Sequence, residues 1–306
     1  METPNYWGDP ALMDDRVWLS YERHLRLRGI SAQTVTNYRK SRAKVADFTG
    51  GPVHTASRLD LEELLESWIG KFKGSTRLHH YINLGAYFNW CVSEEHISRN
   101  PLKGLPQPSI DDVPPRVLSE VELRKLIKAC DGPNLRDKRD AAIIRLMSEA
   151  GGMRNTEVRL LRVEDIDWLN QVANVSVSKT YLRPIPFGDK TARAIEQYMK
   201  LREKHRQSGS PWLWLTGRQS DLGMGITTLR DIVVRRAKKA GLGHVDAKSI
   251  RHTAADRAME AGISTPDMNK LFGWSERSIM TSVYGRARAQ QRALGAARSA
   301  KLGDRL

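Results

Sequence analysis

A single tyrosine stands in a basic stretch near the end of the chain, "LFGWSERSIMTSVYGRA", residues 271–287. This residue, Tyr284, follows Trp274 by ten positions and is surrounded by small and aliphatic residues. A tyrosine in such a setting is either a packed aromatic with a hydrogen-bonded hydroxyl or a nucleophile. The two interpretations differ in whether the chain also contains the other groups that a nucleophilic tyrosine requires.

A hydroxyl nucleophile that attacks a phosphodiester without a metal ion needs particular partners. Cations, best supplied as guanidinium groups, must neutralise the charge that develops on the non-bridging oxygens. A general acid must protonate the leaving oxygen. The candidates are therefore arginines at the ends of elements and a mobile lysine. The sequence has neither a GxxxxGK[ST] loop nor a carboxylate cluster of the kind that binds a metal.

The net charge favours a polyanionic partner. The 306 residues include 50 Lys and Arg against 35 Asp and Glu, a net charge of +15, so nucleic acid is the first candidate. Residues 1–110 hold 14 basic and 12 acidic side chains, so nearly all of the excess lies in residues 111–306, where we expect most phosphate contacts. An acidic membrane surface is less suitable, because no basic amphipathic anchor is present. A merely soluble basic protein is the remaining alternative.

Several segments resemble, in order, the motifs of the tyrosine recombinase (phage integrase) family over residues 116–290. "EAGGMRNTEVRLLRVEDID" is similar to the family's first arginine motif and points to Arg154. "SIRHTAADRAMEAG" resembles the second arginine motif and points to Arg251. "LFGWSERSIMTSVYG" resembles the final motif, which ends on the nucleophile, and points to Trp274 and Tyr284.

The family also keeps a lysine on a β-turn between the two arginine motifs. The segment "VSVSKTYLRPIPF" lies there and offers Lys179, with Arg183 and Lys190 as nearby rivals. Arg154 taken alone would be interpreted as one half of a surface ion pair with Glu157, three residues later. The ordered motifs favour the catalytic interpretation.

The resemblance implies site-specific recombination of DNA that needs no metal, ATP or other cofactor. Tyr284 would form a 3′-phosphotyrosyl intermediate, Arg154 and Arg251 would neutralise the phosphate, and Lys179 would protonate the departing 5′-oxygen. A type IB topoisomerase-like enzyme and a DNA-binding relative that has lost catalysis are the alternatives.

The chain departs from the family pattern at Lys248, where the family usually has a histidine three residues before the second arginine. A lysine with its ordinary pKa near 10.4 cannot accept the tyrosine proton. Either burial lowers the pKa of Lys248, or Lys248 stays charged and binds phosphate, or the adjacent His252 substitutes from about 100° around the helix. We favour the phosphate contact. Trp274, where histidine is commoner, can donate through its indole N–H but cannot be a base.

Two domains are expected on either side of a proline-rich linker. Four prolines in "LPQPSIDDVPPRV", residues 105–117, prevent a continuous helix there. We therefore predict a helical core-binding domain over residues 1–111 and a catalytic domain over residues 112–306. The fold class is mainly α with a small antiparallel β-sheet, the catalytic domain being mixed α/β.

Periodicity and capping residues predict the individual elements. The first helix should bury one face: Val17, Trp18, Tyr21 and Leu25. Further helices should be capped by Ser31, by Ser119 with Glu122, and by Thr265 before Pro266. The apolar alternation of Val172, Val175 and Val177, followed by Ile185 and Phe187, predicts a hairpin with Pro184 and Pro186 on an edge strand.

The first domain offers basic side chains that could contact the DNA backbone. They lie on the second helix and around the turn before the fourth: Arg39, Lys40, Arg42, Lys44, Lys71, Lys73 and Arg77. Basic residues on a helix also commonly form a solvated face.

The resemblance implies double-stranded DNA sites as partners, a homotetramer on DNA, and a monomer or weak oligomer when free. An accessory directionality factor is a further expected partner. The segment after Tyr284, "GRARAQQRALGAARSAKLGDRL", should pack on a neighbouring copy, with a frayed basic tail as the alternative. Because the first predicted helix starts near residue 15, a separate arm-binding domain is not expected.

The expected compartment is the bacterial or phage-infected cytoplasm, at the nucleoid. Cys91 and Cys130 are the only cysteines and suit a reducing environment. No signal peptide and no apolar run of the roughly 20 residues needed to span a membrane is present.

Overall fold

The computed structural model describes residues 10–110, 115–178, 182–217, 223–276, 278, 289–300 and 304. The chain divides into two compact units, Met1–Val113 and Pro114–Leu306. The domain boundary expected near residue 112 falls outside the described residues, as do Lys179 and Tyr284.

The first unit is a set of helices around an aromatic core. They are α1 (Pro10–Leu27), α2 (Ala32–Thr49), α3 (Arg58–Ser67) and α4 (Gly74–Ser93), with a 3-10 turn at Val53–Thr55. The four expected core residues of α1 are all buried, against Tyr87 and Trp90 of α4 among others. Ser31 caps α2 as predicted, by accepting a hydrogen bond from the Thr34 amide.

The second unit is also mainly helical. Its helices are α5 (Glu120–Lys128), α6 (Leu135–Met147), α7 (Asn155–Arg159), α8 (Asp189–Arg202), α9 (Ile226–Lys239), α10 (Ala247–Glu260), α11 (Thr265–Phe272) and α12 (Ala289–Ala300). The expected capping box of Ser119 and Glu122 opens α5.

Three short antiparallel strands form the described sheet, in the order β1 (Ile166–Asp167), β2 (Val172–Val175), β3 (Arg183–Pro186). The predicted hairpin is confirmed, with Val175 opposite Arg183, and its proline-bearing strand lies at the edge. One detail was wrong: β2 ends at Val175, so Val177 lies beyond the strand and is exposed.

Helix α6 passes through the core of the second unit. Five of its apolar side chains are fully buried: Ala142, Ile143, Ile144, Leu146 and Met147. The buried Asp140 accepts hydrogen bonds from Arg235 and Arg236 of α9, so an ion pair ties these two helices together. A helix buried on most sides has no amphipathic stripe, which explains why periodicity did not reveal it.

Helix α11 begins one residue earlier than the sequence indicated. Ser264, not Thr265, is the N-cap, because its Oγ accepts a hydrogen bond from the Asp267 amide. Pro266 lies in the first turn, where its missing N–H costs nothing. The helix ends at Phe272, and Gly273 follows it as the C-cap in the left-handed conformation with φ of 63°.

Candidate active site

Arg154 stands at the N-terminus of α7 and is paired with Glu157. The Arg154 amide donates to Glu157 Oε2 and its Nη1 donates to Oε1, both at 2.7 Å. The ion pair that the alternative interpretation predicted therefore exists. It is not a surface pair, since the Glu157 side chain is fully buried, whereas 24% of the Arg154 side chain is exposed.

Glu157 is shared between two arginines. Arg183 on β3 donates from Nη1 and Nη2 to the two carboxylate oxygens, each at 2.9 Å, and Ser178 Oγ donates to Oε1 at 2.8 Å. Burial by itself would raise the pKa of Glu157. The hydrogen bonds from Arg183 and from Arg154 outweigh it and lower that pKa to about 2. Glu157 is therefore ionised at neutral pH and fixes both guanidinium groups.

Arg251, on α10, binds the carbonyl oxygens of two residues that are distant from it in sequence. Its Nη1 donates to the carbonyl oxygen of Gly152, and its Nη2 donates to that of Phe272 at 2.7 Å. The guanidinium carbon lies 5.4 Å from the ring centre of Phe272 and 5.9 Å from that of Trp274. Bonds to carbonyls and packing on aromatic faces thus hold this buried cation in one orientation.

Three consecutive carbonyls at the end of α11 bind three arginines. Leu271 O accepts from Arg183 Nε, Phe272 O accepts from Arg251 Nη2, and Gly273 O accepts from Arg154 Nη2, each at 2.7 Å. The last carbonyls of a helix lack partners within the helix and carry partial negative charge. The end of α11 therefore gathers cations from α7, β3 and α10.

The absence of a side chain at Gly152 leaves room for Arg251 and Phe272 to pack against its backbone. Its φ is +36°, and a Cβ there would lie 2.8 Å from Phe272 Cε1 and 3.3 Å from Arg251 Cγ. An added methyl group must displace one of these groups, in a backbone conformation that disfavours a side chain.

We predict that Gly152→Ala destabilises the folded chain by about 2 kcal/mol or more and slows the DNA cleavage that the family resemblance implies. Thermal unfolding and single-turnover cleavage measure the two effects. Gly209→Ala is the matched control, because its Cβ would have open space and its φ is not positive. Equal thermal stability and equal cleavage rates of the two variants would contradict the conclusion that Gly152 leaves the room that Arg251 needs.

Trp274 follows directly on the end of α11. Its ring stacks on Phe272 with centroids 4.8 Å apart and planes 26° apart, and the residue is 5% exposed. It belongs to a small apolar cluster with Met268 and Ala254. Trp274 therefore packs as a core residue and also lies against Arg251. Donation of its indole N–H to a phosphate stays a prediction.

Lys248 and His252 differ sharply in exposure. Lys248 lies in the first turn of α10 and is exposed, so the burial that the proton-acceptor account of Lys248 requires is absent. His252 is buried. Burial, together with the charges of Lys248 and Arg251 and against the opposing effect of Asp246, lowers the pKa of His252 to about 4. Its imidazole is therefore neutral at pH 7.

Lys179 lies outside the described residues. The described residues around it show whether Arg183 or Lys190 could replace it as the general acid. Ser178, just before it, contacts Glu157. Arg183 is buried and bound to Glu157, and an arginine cannot release a proton near neutral pH, so Arg183 cannot be the mobile general acid. Lys190 is exposed in the first turn of α8. Lys179 stays the predicted acid.

Arg39, one of the candidate DNA contacts, is held by a buried carboxylate. Its Nε and Nη2 donate to the two oxygens of Glu22, the second bond being 2.6 Å long. Trp18 Nε1 donates to the same carboxylate at 2.6 Å. These bonds assign Arg39 a part in holding α2 on α1.

The other basic candidates of the first unit fall into two groups. Arg42 lies over the Trp18 ring at 5.4 Å and Lys44 over the Phe72 ring at 5.8 Å. Lys40, Lys71 and Lys73 are exposed, and Arg77 is half-buried. Contact of these basic side chains with a DNA phosphate stays a prediction.

Within the described part of the chain, no three His, Cys, Asp or Glu side chains are grouped so that they could hold a metal ion. No helix in that part is long and apolar enough to cross a membrane.

Arg154 and Arg251, which come from separate sequence motifs, both bind carbonyl oxygens at the end of α11. The sequence model of the phage integrase family matches residues 116–291, more than half of the chain. The chain belongs to the phage integrase family. Its fold is accordingly the mainly helical tyrosine recombinase fold with a small antiparallel sheet.

This tyrosine recombinase is similar along most of its length to bacterial members of the family. It is 28% identical to the tyrosine recombinase XerC of Corynebacterium efficiens over 264 residues, 82% of this chain and 83% of that one. It is 24% identical to the tyrosine recombinase XerD of Neisseria meningitidis over 261 residues, 84% of this chain and 88% of that one.

Solved structures of tyrosine recombinases share its fold. The Tn1549 transposon integrase in complex with transposon right end DNA aligns with a TM-score of 0.71 at 19% identity, covering 91% of this chain and 99% of that one. A fragment of lambda integrase, a dimer bound to a COC′ core site, aligns with a TM-score of 0.71 at 20% identity, covering 89% and 95%. At these identities the likeness concerns the fold alone.

Proposed function

We propose that this site-specific recombinase cuts DNA by attack of Tyr284 on a phosphodiester bond. The observation that carries the proposal is the meeting of Arg154 and Arg251 at the end of α11, twelve residues before Tyr284. Two fixed guanidinium groups on one helix end provide the positive charge that a metal-free phosphoryl transfer requires.

In the proposed cleavage step, a bond forms between Tyr284 Oη and the phosphorus, and the bond from phosphorus to the 5′-oxygen breaks. Arg154 and Arg251 stabilise the charge on the non-bridging oxygens, Trp274 donates its indole N–H, and Lys179 protonates the departing 5′-oxygen. Attack by the 5′-hydroxyl of a partner duplex reverses the step and releases Tyr284. One phosphodiester replaces another, so ATP is not required.

Lys248 is proposed to remain charged and to contact the phosphate. Its exposure in the first turn of α10 supports this role, because a solvated ammonium group can reach a bound DNA strand. Proton removal from Tyr284 is then left to water or to the substrate, and the buried His252 is the alternative acceptor.

We predict that Lys248→Ala slows single-turnover cleavage about 10- to 100-fold, whereas Lys248→His stays within about tenfold of the unmodified chain. The slope of DNA binding against salt should fall by about one for Lys248→Ala, since one phosphate contact is lost. A fully active Lys248→Ala variant would make this residue a bystander.

The proposed assembly is a homotetramer on two DNA sites. Helix α12 supports it, because the side chain of Leu294 is 51% exposed within the single chain and is available to a neighbouring copy. A related structure is the lambda integrase tetramer bound to a Holliday junction. Lys40, Lys71 and Lys73 of the first unit are the proposed backbone contacts, and an accessory factor would set the direction of recombination.

Capture of the cut DNA tests the function and identifies the site together. The chain is incubated in EDTA with nicked duplexes of random sequence, and DNA bound covalently to protein is isolated and sequenced. Enrichment of one sequence, followed by exchange between two plasmids that carry it, is the expected result. Relaxation of any supercoiled plasmid without sequence preference would instead indicate a topoisomerase-like enzyme, and no adduct would indicate a binding protein.

A further inference from the structure

We propose that Arg183 is a positioning residue for strand cleavage: it fixes Arg154 and the end of α11 in one arrangement through Glu157 and Leu271. This inference rests on the proposed function. Arg183 itself does not touch the phosphate.

The contacts of Arg183 join three elements that are far apart in sequence. From β3 it binds the carboxylate of Glu157 on α7 with two bonds of 2.9 Å, and it binds Leu271 O on α11 at 2.7 Å. Glu157 in turn holds Arg154, and Arg154 binds Gly273 O at 2.7 Å. These three side chains and two carbonyls form a ring that the backbone from Leu271 to Gly273 closes, so a shift of Arg183 moves both Arg154 and the end of α11.

The chemistry of the Arg183 side chain suits a positioning role and excludes direct contact with the phosphate. All three nitrogens of the guanidinium group donate, in a planar arrangement that a lysine ammonium group cannot reproduce. The side chain is 4% exposed and its charge is balanced by Glu157, so it is screened from a phosphate. Arg154 therefore remains the exposed cation of the cluster, and Arg183 acts only through it.

A structural role and a positioning role predict different kinetics. Loss of folded protein lowers the amplitude of single-turnover cleavage, because fewer molecules react. Misplacement of Arg154 lowers the rate constant of those that do react, and a displacement near 1 Å can cost about 100-fold. The measurement is therefore cleavage of a nicked substrate in saturating excess over protein, where each folded molecule is trapped once as its adduct, with amplitude and rate constant fitted separately.

We expect Arg183→Met to lower the cleavage rate constant about 100-fold while the Kd for DNA changes less than about threefold. Arg183→Lys should recover at most a small part of the rate, since it restores the charge but not the three bonds. Arg202→Met is the matched control: Arg202 is equally buried and donates to carbonyl oxygens, including that of Leu213, away from Glu157. It should lose amplitude or thermal stability but keep the rate constant.

The double variant Arg183→Met with Glu157→Gln covers the case in which the single variant folds poorly. In Arg183→Met the buried Glu157 keeps Arg154 and Ser178 but loses two charged donors, so replacing its carboxylate by an amide should recover part of the stability. The rate constant should stay low, because Arg154 has lost its support. A rate constant within threefold of the unmodified chain, in the single or the double variant, would overturn the proposal. Failure of the proposed function is distinct, since it appears as adduct formation that does not depend on Tyr284.

Discussion

Arg251→Ala is expected to slow formation of the covalent DNA adduct by on the order of 10³-fold. The guanidinium group of Arg251 lies between the carbonyls of Gly152 and Phe272 and the rings of Phe272 and Trp274. These contacts fix the orientation of its charge. A fixed cation stabilises transition-state charge without reorganisation. Arg251→Lys should recover little, because an ammonium group cannot bind both carbonyls in the same plane.

Arg251→Ala also leaves two buried carbonyls without this donor, at a cost of about 1–3 kcal/mol each in stability. Cleavage is therefore compared per folded molecule, after thermal unfolding has given the folded fraction. Arg257→Ala is the control, because Arg257 lies on the same helix and is exposed. An Arg251→Ala rate within tenfold of the unmodified chain would remove Arg251 from the active site.

Tyr284→Phe is expected to abolish the adduct while DNA binding is retained. The substitution removes only the hydroxyl oxygen, which the proposed reaction joins to phosphorus, and phenylalanine has no nucleophile to replace it. The measurement is denaturing electrophoresis of a nicked, labelled substrate beside a gel-shift titration.

Tyr81→Phe is the control for Tyr284→Phe. Tyr81 lies in the first unit and donates its hydroxyl to Leu105 O at 2.9 Å, so the variant loses one hydrogen bond but no proposed catalytic group. It should form the adduct at an unchanged rate. Any adduct from Tyr284→Phe above about 1% of the unmodified level would mean that another residue attacks.

The sequence predicted two of the helix caps and the hairpin correctly. Ser31 and the pair Ser119 and Glu122 cap their helices because capping depends on neighbours three residues apart. The alternation of apolar residues and the prolines placed the hairpin and its edge strand. The capping residue of α11 was misplaced by one, since Ser264 and Thr265 are adjacent and both are suitable caps.

The interactions among distant residues could not be predicted in this way. From the sequence, Arg183 is only a rival to Lys179, because a basic residue on a strand gives no sign of its partner on another element. Glu157 lies at the spacing of a surface pair with Arg154, and its burial depends on how β3 and α11 pack. Arg39 similarly pairs with a carboxylate 17 residues away. Each of these contacts follows from tertiary packing rather than local pattern.

The most direct test of the central claim is identification of the residue that carries the DNA. The adduct of the unmodified chain is treated with nuclease and trypsin, and the peptide bearing the nucleotide is sequenced by mass spectrometry. We predict that the nucleotide is attached to Tyr284 in the peptide of residues 278–286, which contains one tyrosine. Attachment to any other tyrosine, or to a serine or lysine, would contradict the account.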